Sequence, residues 1–366
     1  MSAYSGREGI IMEKKNLTYH EKIDISYTER LRTLLKDMPP YAKDYFRAVE
    51  STTSSKTRIS YAYDLMVFFN YLLERNPALS QKEIKDITLH DIDQLVSDDI
   101  EEYQEYLKYY KTETTEQKNG DSSIARKMSS LRSFLDYYYK KELLIRNVAM
   151  QVNMPKLHEK AIIHLEPDEV AILLDYMEQC ENQLSKKQQA YFRLTKQRDI
   201  AIITLFLGTG IRVSECVGLD ITDVNFRENS IRIRRKGGNE AILYFGAEVE
   251  SALLDYINGS RQQMALQAQS GHENALFYSI QKRRISVHAV ENLVRKYTES
   301  VVTQKKITCH KLRSTFGTTL YQETGDIYLV ADVLGHKDVN TTKKHYASIK
   351  DEHRRKAASA IKLREK

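Results

Sequence analysis

Six side chains suited to phosphate chemistry lie in the second half of the chain. They comprise two guanidiniums, two imidazoles, an ammonium and a phenol, in the order Arg212, Lys236, His310, Arg313, His336 and Tyr346. Paired guanidiniums can bind the oxygens of a phosphodiester, a phenol can attack its phosphorus, and an ammonium can protonate the leaving oxygen. A phenol needs nearby positive charge to attack at neutral pH, because its unperturbed pKa is about 10. The combination indicates strand transfer on DNA through a phosphotyrosine.

The first two of these residues each fit a functional and a structural interpretation. Arg212 follows Gly208 and Gly210, where the backbone can turn tightly, and Glu215 lies three residues further on, where it could hold the guanidinium in place. Taken alone, this is also the pattern of a surface arginine paired with a glutamate. Lys236 follows an alternating run and precedes two glycines, which predicts an ammonium at the tip of a β-hairpin. It could protonate a leaving alkoxide, or be an ordinary solvated turn lysine.

The other members of the set are also ambiguous one at a time. His310 and Arg313 are three residues apart, which predicts a shared helix face where one ligand could touch both. Gly335 allows the backbone to come close to whatever His336 faces. Tyr346 follows ten residues later, and with 24 tyrosines in the chain only its setting distinguishes it as a nucleophile. The order of the whole set therefore carries the interpretation.

Length and composition predict an ordered protein of two or three domains. The chain has 366 residues, of which 41% are hydrophobic and 29% charged. No apolar run reaches the length of a membrane span and no secretory core is present, so we expect a cytoplasmic protein without a membrane partner. The cysteines are too widely spaced for a disulfide framework or a zinc site, and we expect all three to be small buried residues: Cys180, Cys216 and Cys309.

The net charge of +6 is unevenly distributed along the chain. Residues 1–160 carry 25 basic and 25 acidic side chains, so the whole excess lies after residue 160. A basic excess attracts a polyanion, but it is equally common on solvated surfaces, and it favours a DNA partner only weakly.

Periodicity predicts a mainly α protein with a small β-hairpin or sheet. Residues 55–155 have the pattern of three or four short helices, with a polar loop at 112–121, whereas residues 231–245 alternate around a glycine turn and predict a hairpin within a mixed α+β second domain. We therefore divide the chain into an N-terminal extension (1–50), a helical DNA-binding domain (51–155), a linker (156–165), a catalytic domain (166–346) and a C-terminal tail (347–366).

Taken together, the six residues and their local settings closely resemble the catalytic signature of the tyrosine recombinases, the lambda-integrase and Xer family. The resemblance covers most of the chain, and it implies the family's two-domain fold, a helical core-binding domain followed by a catalytic domain. The run Met38-Pro39-Pro40-Tyr41 and the pair Tyr45-Phe46 are also similar to the start of the single-recombinase Xer proteins of some Gram-positive bacteria.

The resemblance implies a role for each residue. Arg212 and Arg313 would clamp the scissile phosphate, Tyr346 would attack it, and Lys236 would protonate the departing 5′ oxygen. His310 would assist proton transfer at the nucleophile, His336 would hydrogen-bond the phosphate, and Glu215 would be a supporting residue. Neither a metal nor another cofactor is implied.

The sequence departs from a common family pattern in three places. Cys309 stands where proline is frequent and Ser314 where histidine is frequent, and Tyr346 lies ten rather than nine residues after His336. None of these departures removes a catalytic group.

The implied partner is duplex DNA with specific sites. On the helix expected at 123–139, Arg126, Lys127 and Ser130 lie away from the apolar series and are candidates for reading a groove, although a solvated face is an equally good interpretation. By resemblance the basic tail would pack on a neighbouring protomer, which suggests a tetramer on two DNA sites, and a DNA translocase or directionality factor could take part. The expected function is site-specific recombination in Xer-like chromosome dimer resolution. The alternatives are a mobile-element integrase or excisionase, a type IB topoisomerase and a non-catalytic DNA-binding regulator.

Overall fold

The computed structural model describes residues 17–111, 116–157, 162–235, 238–336 and 338–339. Lys236, Tyr346 and the tail at 347–366 lie outside the described residues. Contacts divide the chain into two compact units, 1–159 and 160–366, and each is described by itself.

The first unit is built from helices, which form where apolar residues recur at helical spacing and begin at recognisable caps. Its helices are α1 (Tyr19–Leu34), α2 (Ala42–Ala48), α3 (Ser55–Arg75), α4 (Leu89–Asp93), α5 (Ser97–Tyr106) and α6 (Asp121–Lys140). The side chain of Ser54 caps the start of α3 by accepting a hydrogen bond from the backbone N–H of Thr57. That helix ends before Pro77, which has no N–H to donate and whose ring would clash with the preceding turn.

One apolar core extends through the described residues of this unit, from Leu31 to Val152. Phe68, Phe69 and Phe134 are fully buried at its centre, on helices α3 and α6. Tyr45 on α2 is also fully buried, and its hydroxyl donates to Ser133 Oγ at 2.9 Å. The segment that the sequence assigned to an N-terminal extension therefore contributes to the core of this unit, at least from α1 onward.

A small hairpin lies where the sequence predicted only a polar loop. Strands β1 (Tyr109–Lys111) and β2 (Glu116–Lys118) pair antiparallel, so the loop prediction for 112–121 is wrong over β2. The strands are three residues long, and β2, which has only polar residues, has no apolar alternation from which it could be recognised.

The second unit combines eight described helices with a three-stranded antiparallel sheet. The helices are α7 (Pro167–Gln179), α8 (Lys186–Thr209), α9 (Val213–Gly218), α10 (Ala247–Tyr256), α11 (Gln262–Ala265), α12 (Val287–Val301), α13 (Cys309–Thr324) and α14 (Ile327–Leu334). The strands, in spatial order, are β3 (Val224–Asn225), β4 (Ser230–Arg234) and β5 (Glu240–Tyr244). The expected mainly α fold with a small hairpin is confirmed, and the short third strand β3 is an addition.

Helix α8 occupies the centre of the second unit and is buried on several sides. Its last two turns contain Ile202, Ile203, Leu205 and Phe206, all fully buried. It ends at Gly210, whose φ of 62° belongs to the left-handed region that glycine adopts without strain.

Two further observations concern the cysteines and the helices. All three cysteines are buried and unpaired, as expected. Within the described ranges, no helix combines the length and apolar character of a bilayer span.

Candidate active site

Arg212 is fixed at the start of helix α9 by a reciprocal interaction with Glu215. The backbone N–H of Arg212 donates to Glu215 Oε2 at 2.9 Å, and its Nη1 donates to Oε1 of the same carboxylate at 2.8 Å. Glu215 is buried, whereas the Arg212 side chain remains 37% exposed. The carboxylate therefore orients a guanidinium that a ligand can still reach.

The turn before Arg212 requires a glycine for two reasons. Gly210 has a positive φ, and a Cβ added there would lie 2.5 Å from Phe316 Cδ1 and 2.9 Å from Leu334 Cδ2. Side chains of α13 and α14 therefore pack directly on the glycine backbone. This close approach brings the Arg212 turn against both helices.

Arg313 is buried on helix α13, with 6% of its surface exposed. Its guanidinium donates to the carbonyl oxygens of Gly210 and Leu334. Arg212 Nη2 donates to the same Leu334 oxygen and to that of Gly335, at 3.2 Å in each case. The two arginines expected to form a phosphate clamp thus lie against one carbonyl oxygen.

The acceptor of these bonds is the C-terminal end of helix α14. The last carbonyls of a helix have no partner inside it, and they carry the negative end of its dipole. Gly335 closes the helix with a φ of 61°, and the N–H of His336 donates back to Ala331 O at 2.9 Å. This cap fixes the backbone at half-buried His336, immediately beside the carbonyls that hold Arg212 and Arg313.

A third arginine, which the sequence did not single out, reaches the same helix end. Arg235 follows strand β4, and its Nη2 donates to Val333 O at 2.9 Å. A Cβ on Gly335 would lie 2.3 Å from Arg235 Nη1, so this guanidinium rests directly on the glycine. The alternation along β4 is a signal that separates Arg235 from its neighbours: Arg232 and Arg234 fall on the exposed face, whereas Arg235 has the parity of buried Ile231 and Ile233.

The histidine of helix α13 has a different environment from Arg313. His310 lies in the first turn and is exposed, although the two residues are three apart. Ser314, at the position where the family often has histidine, donates its hydroxyl to the His310 carbonyl at 3.0 Å. The Ser314 hydroxyl is therefore engaged in a hydrogen bond to the backbone of its own helix.

The cysteines near the arginines are poorly suited to act as nucleophiles. Burial raises the pKa of Cys309 to about 12, and burial together with the neighbouring Cys309 raises the pKa of Cys216 further still. A thiol attacks as its thiolate, so both groups are unreactive near neutral pH.

The structure brings together a part of the expected set. Arg212, Glu215 and Arg313 meet at the end of α14, and His336 follows that end directly. Lys236 and Tyr346 lie outside the described residues. Over the ranges described here, no group of three or more histidine, cysteine or acidic side chains is arranged to hold a metal.

In the first unit, two of the three residues expected to read a DNA groove are buried. Ser130 is fully buried and donates to Lys127 O at 2.8 Å, and Lys127 is 8% exposed with its Nζ 3.2 Å from Asp64 Oδ1. The expectation that both lie away from the apolar face is wrong, because helix α6 packs over a wider arc than its main apolar row.

Arg126 is the one member of that trio that remains accessible. Its side chain is 49% exposed and forms a two-pronged pair with buried Asp64, in which Nη2 lies 2.8 Å from Oδ1. Asp64 was missed in the sequence, although it lies among the apolar positions Tyr61, Leu65 and Phe68 on α3, and a lone acid in that row is a usable signal.

Comparison with known proteins identifies the family. Residues 163–353 match the phage integrase family, and residues 42–142 match its N-terminal SAM-like domain. A tyrosine recombinase XerC from Caldanaerobacter subterraneus subsp. tengcongensis is 32% identical over 346 residues, covering 92% of this chain and 89% of that protein. The chain belongs to the phage integrase family of tyrosine recombinases. A tyrosine recombinase XerS from Streptococcus equi subsp. zooepidemicus is 30% identical over 335 residues, covering 86% and 93%.

Solved structures support the fold of this tyrosine site-specific recombinase. A XerH site-specific recombinase bound to a palindromic difH substrate matches with a TM-score of 0.61 at 18% identity, covering 84% of this chain and 80% of that one. The Tn1549 transposon integrase in complex with circular intermediate DNA matches with a TM-score of 0.59 at 18% identity, covering 82% and 93%.

Proposed function

We propose that this recombinase cuts and rejoins duplex DNA at specific sites through a 3′-phosphotyrosyl intermediate on Tyr346. The observation that carries the proposal is the convergence of Arg212 and Arg313 on the Leu334 carbonyl, within a chain that belongs to the tyrosine recombinases. Two guanidiniums oriented side by side offer paired donors to the two non-bridging oxygens of a phosphate.

Each arginine contributes differently to the binding of the phosphate. Arg313 is buried and anchored to backbone carbonyls, so it supplies a preorganised positive charge. Arg212 is partly exposed, and Glu215 fixes its direction without covering it. Charge that develops on the phosphorane oxygens is then stabilised by groups that need not reorganise, which is the most effective form of electrostatic catalysis.

The bond changes of the reaction balance without an external energy source. The Tyr346 phenol passes its proton to His310, and its oxygen bonds to phosphorus while the bond from phosphorus to the 5′ oxygen breaks. Lys236 gives its proton to that departing oxygen, and His336 hydrogen-bonds the phosphate throughout. Attack by a 5′ hydroxyl reverses the step and rejoins a strand, so one phosphodiester is exchanged for another of similar energy.

A nicked suicide duplex tests this mechanism. Cleavage next to a nick releases a short fragment that cannot rejoin, so wild-type protein should accumulate as a covalent adduct visible on a denaturing gel. Tyr346→Phe should bind the same duplex with similar affinity and form no adduct. Adduct formation by Tyr346→Phe at the wild-type rate would exclude Tyr346 as the nucleophile.

For the biological role, we propose Xer-like resolution of chromosome dimers. The relatives named XerC and XerS support this role, and the similarity to a transposon integrase makes mobile-element integration or excision the second candidate. Trapping the covalent adduct on genomic DNA and sequencing the bound fragments separates the two. A single chromosomal site supports dimer resolution, whereas the ends of a mobile element exclude it.

Two other classes of activity have weaker support. A type IB topoisomerase would relax supercoiled DNA without a specific site, and a DNA-binding regulator would form no adduct on any nicked duplex. The match of residues 42–142 to the SAM-like domain of phage integrases favours recombination over both.

We also propose that the active assembly is a homotetramer on two sites, with a DNA translocase or directionality factor as a possible further partner. The basic, alanine-containing tail at 347–366 is the segment expected to join neighbouring protomers. Deleting residues 351–366 should leave binding to one site intact and abolish synapsis of two sites, measured by native gel with a tethered pair of sites. Normal synapsis by the deleted protein would exclude residues 351–366 as the joining segment.

A further inference from the structure

The β4–β5 hairpin is tied at its tip to the helix end that holds the phosphate-binding arginines. Arg235 lies between strand β4 and the glycine turn, and its backbone N–H donates to Asn239 O at 2.7 Å, which extends the β4–β5 ladder by one residue. Its side chain leaves the hairpin and donates to Val333 O at 2.9 Å. Arg212 and Arg313 donate to the next two carbonyls of the same helix end.

The contact between Arg235 and the helix end is close and specific. The guanidinium lies on Gly335 where any Cβ would come within 2.3 Å of Nη1, so the absence of a side chain at Gly335 makes the contact possible. Arg235 Nε is buried and has no hydrogen-bond partner among the described residues. An unsatisfied buried donor costs about 1–3 kcal/mol, and such a cost is tolerated where the geometry serves another purpose.

The neighbouring arginines do not share this contact. Arg232 and Arg234 alternate on the exposed side of β4, where Arg232 pairs with Asp223 and Arg234 is opposite Glu240. Arg235 is therefore the residue of this basic run that joins the hairpin to α14. Lys236, the expected proton donor, follows it directly in the chain.

We infer that Arg235 is a positioning residue that fixes the hairpin so that Lys236 can donate its proton to the leaving 5′ oxygen. This inference rests on the proposed function. A proton donor on an unanchored hairpin would reach the leaving oxygen in only a fraction of its conformations, whereas the Arg235 contact fixes the preceding backbone to the element that holds the phosphate clamp. Proton transfer requires heavy-atom separations of roughly 2.6–3.2 Å, so small displacements are costly.

The test compares two leaving groups in single-turnover cleavage by the full-length protein. One nicked duplex carries the ordinary 5′ oxygen at the scissile phosphate, and the other carries sulfur at that position. A thiolate leaves without being protonated because the pKa of a thiol is far below that of an alcohol. Arg235→Ala should cleave the oxygen substrate about 10- to 100-fold more slowly than wild type, and the sulfur substrate within about 3-fold of wild type, as expected for impaired general-acid catalysis.

Three variants serve as controls. Arg234→Ala removes the same charge from the exposed side of the strand, and it should leave both rates within about 3-fold of wild type. Lys236→Ala should show the same selective rescue by sulfur, with a larger defect on oxygen. Arg235→Lys, which keeps the charge but cannot form the planar contact, should fall between wild type and Arg235→Ala.

The ratio of the two rates keeps the inference falsifiable even when a variant folds poorly, because the fraction of active protein cancels. Equal slowing on both substrates would mean that Arg235 acts on the fold or the phosphate clamp, and would overturn the inference. Unchanged rates for Arg235→Ala would overturn it as well. If wild-type protein forms no adduct with either substrate, it is the proposed function that fails.

Discussion

At the scale of single residues, Arg126 shows how a buried carboxylate can prepare an accessible cation for a ligand. Asp64 is 1% exposed and accepts from both nitrogens of the Arg126 fork, while half of the arginine surface remains open to solvent. We propose that Arg126 contacts a DNA phosphate. The same carboxylate also holds Lys127, which explains how that lysine can be buried.

The salt dependence of DNA binding tests this role. Each phosphate contact releases counterions, so Arg126→Gln should make the negative slope of log K against log salt shallower by about 0.9. Lys140→Gln removes the same charge from the same helix, roughly 20 Å away along its axis, and should leave the slope unchanged. Binding to a duplex site would be measured by fluorescence anisotropy. Equal slopes for wild type and Arg126→Gln would exclude the phosphate contact.

Sequence reasoning at this scale recovers the identities of the candidate site better than its geometry. The pairing of Arg212 with Glu215 was expected because a spacing of three residues brings side chains together on a helix. The contacts of Arg212 and Arg313 with Leu334 join positions that are more than 20 residues apart in the sequence. The contact of Arg235 with Val333 joins positions that are about a hundred residues apart. Periodicity reports only local neighbours, so it contains no signal for such pairs.

At the scale of elements, helix α7 is fixed to the rest of its unit by an ion pair in its first turn. Glu169 accepts from the backbone N–H of Glu166 at 2.8 Å and from Lys305 Nζ at 2.6 Å. Partial burial raises the pKa of Glu169, but the hydrogen bonds from Lys305 and Glu166 together lower it by more. The pKa of Glu169 therefore lies below its usual value of 4.5.

This pair predicts a pH-dependent contribution to stability. A carboxyl whose pKa is depressed in the folded state stabilises the protein above its unfolded pKa, and the contribution is lost as the pH falls through the folded-state pKa. Glu169→Gln should therefore reduce the free energy of unfolding by about 1–2 kcal/mol at pH 7 and by progressively less below about pH 4.5. Urea unfolding across this pH range measures the difference from wild type.

Asp168→Asn provides the matched control, because Asp168 is an exposed acid in the same turn. It should change the stability little at any pH. A destabilisation by Glu169→Gln that stays constant from pH 7 to pH 3 would contradict the account.

The predictability of the elements follows the strength of their patterns. The β4–β5 hairpin was predicted because its residues alternate around a glycine turn. Strand β3 has two residues and β2 has only polar residues, so neither contains a readable period. Tertiary contacts determine such short segments.

At the scale of the whole molecule, the chain consists of two compact units that differ in content. The first has a continuous core from α1 to residue 152, and the match of residues 42–142 to the SAM-like domain lies within it. The second contains the arginine cluster, and the basic excess of the chain lies after residue 160. Charge and chemistry therefore coincide in the second unit, as expected if it binds the phosphate backbone where cleavage occurs.

The sequence predicted a linker at 156–165, and the contacts divide the chain between residues 159 and 160. The sequence did not predict that helices α1 and α2 belong to the core of the first unit. Helix α1 has one buried residue, Leu31, and a mostly polar surface, so its membership of the core depends on contacts with α3 that a local pattern does not contain.

The central claim is that Tyr346 becomes covalently joined to the 3′ end of a cut strand. Its most direct test is to digest the adduct formed on a nicked suicide duplex with protease and nuclease, and to locate the nucleotide by mass spectrometry. The account predicts a nucleotide joined through its 3′ phosphate to the peptide that contains Tyr346. A nucleotide attached to any other residue, or joined through its 5′ phosphate, would contradict it.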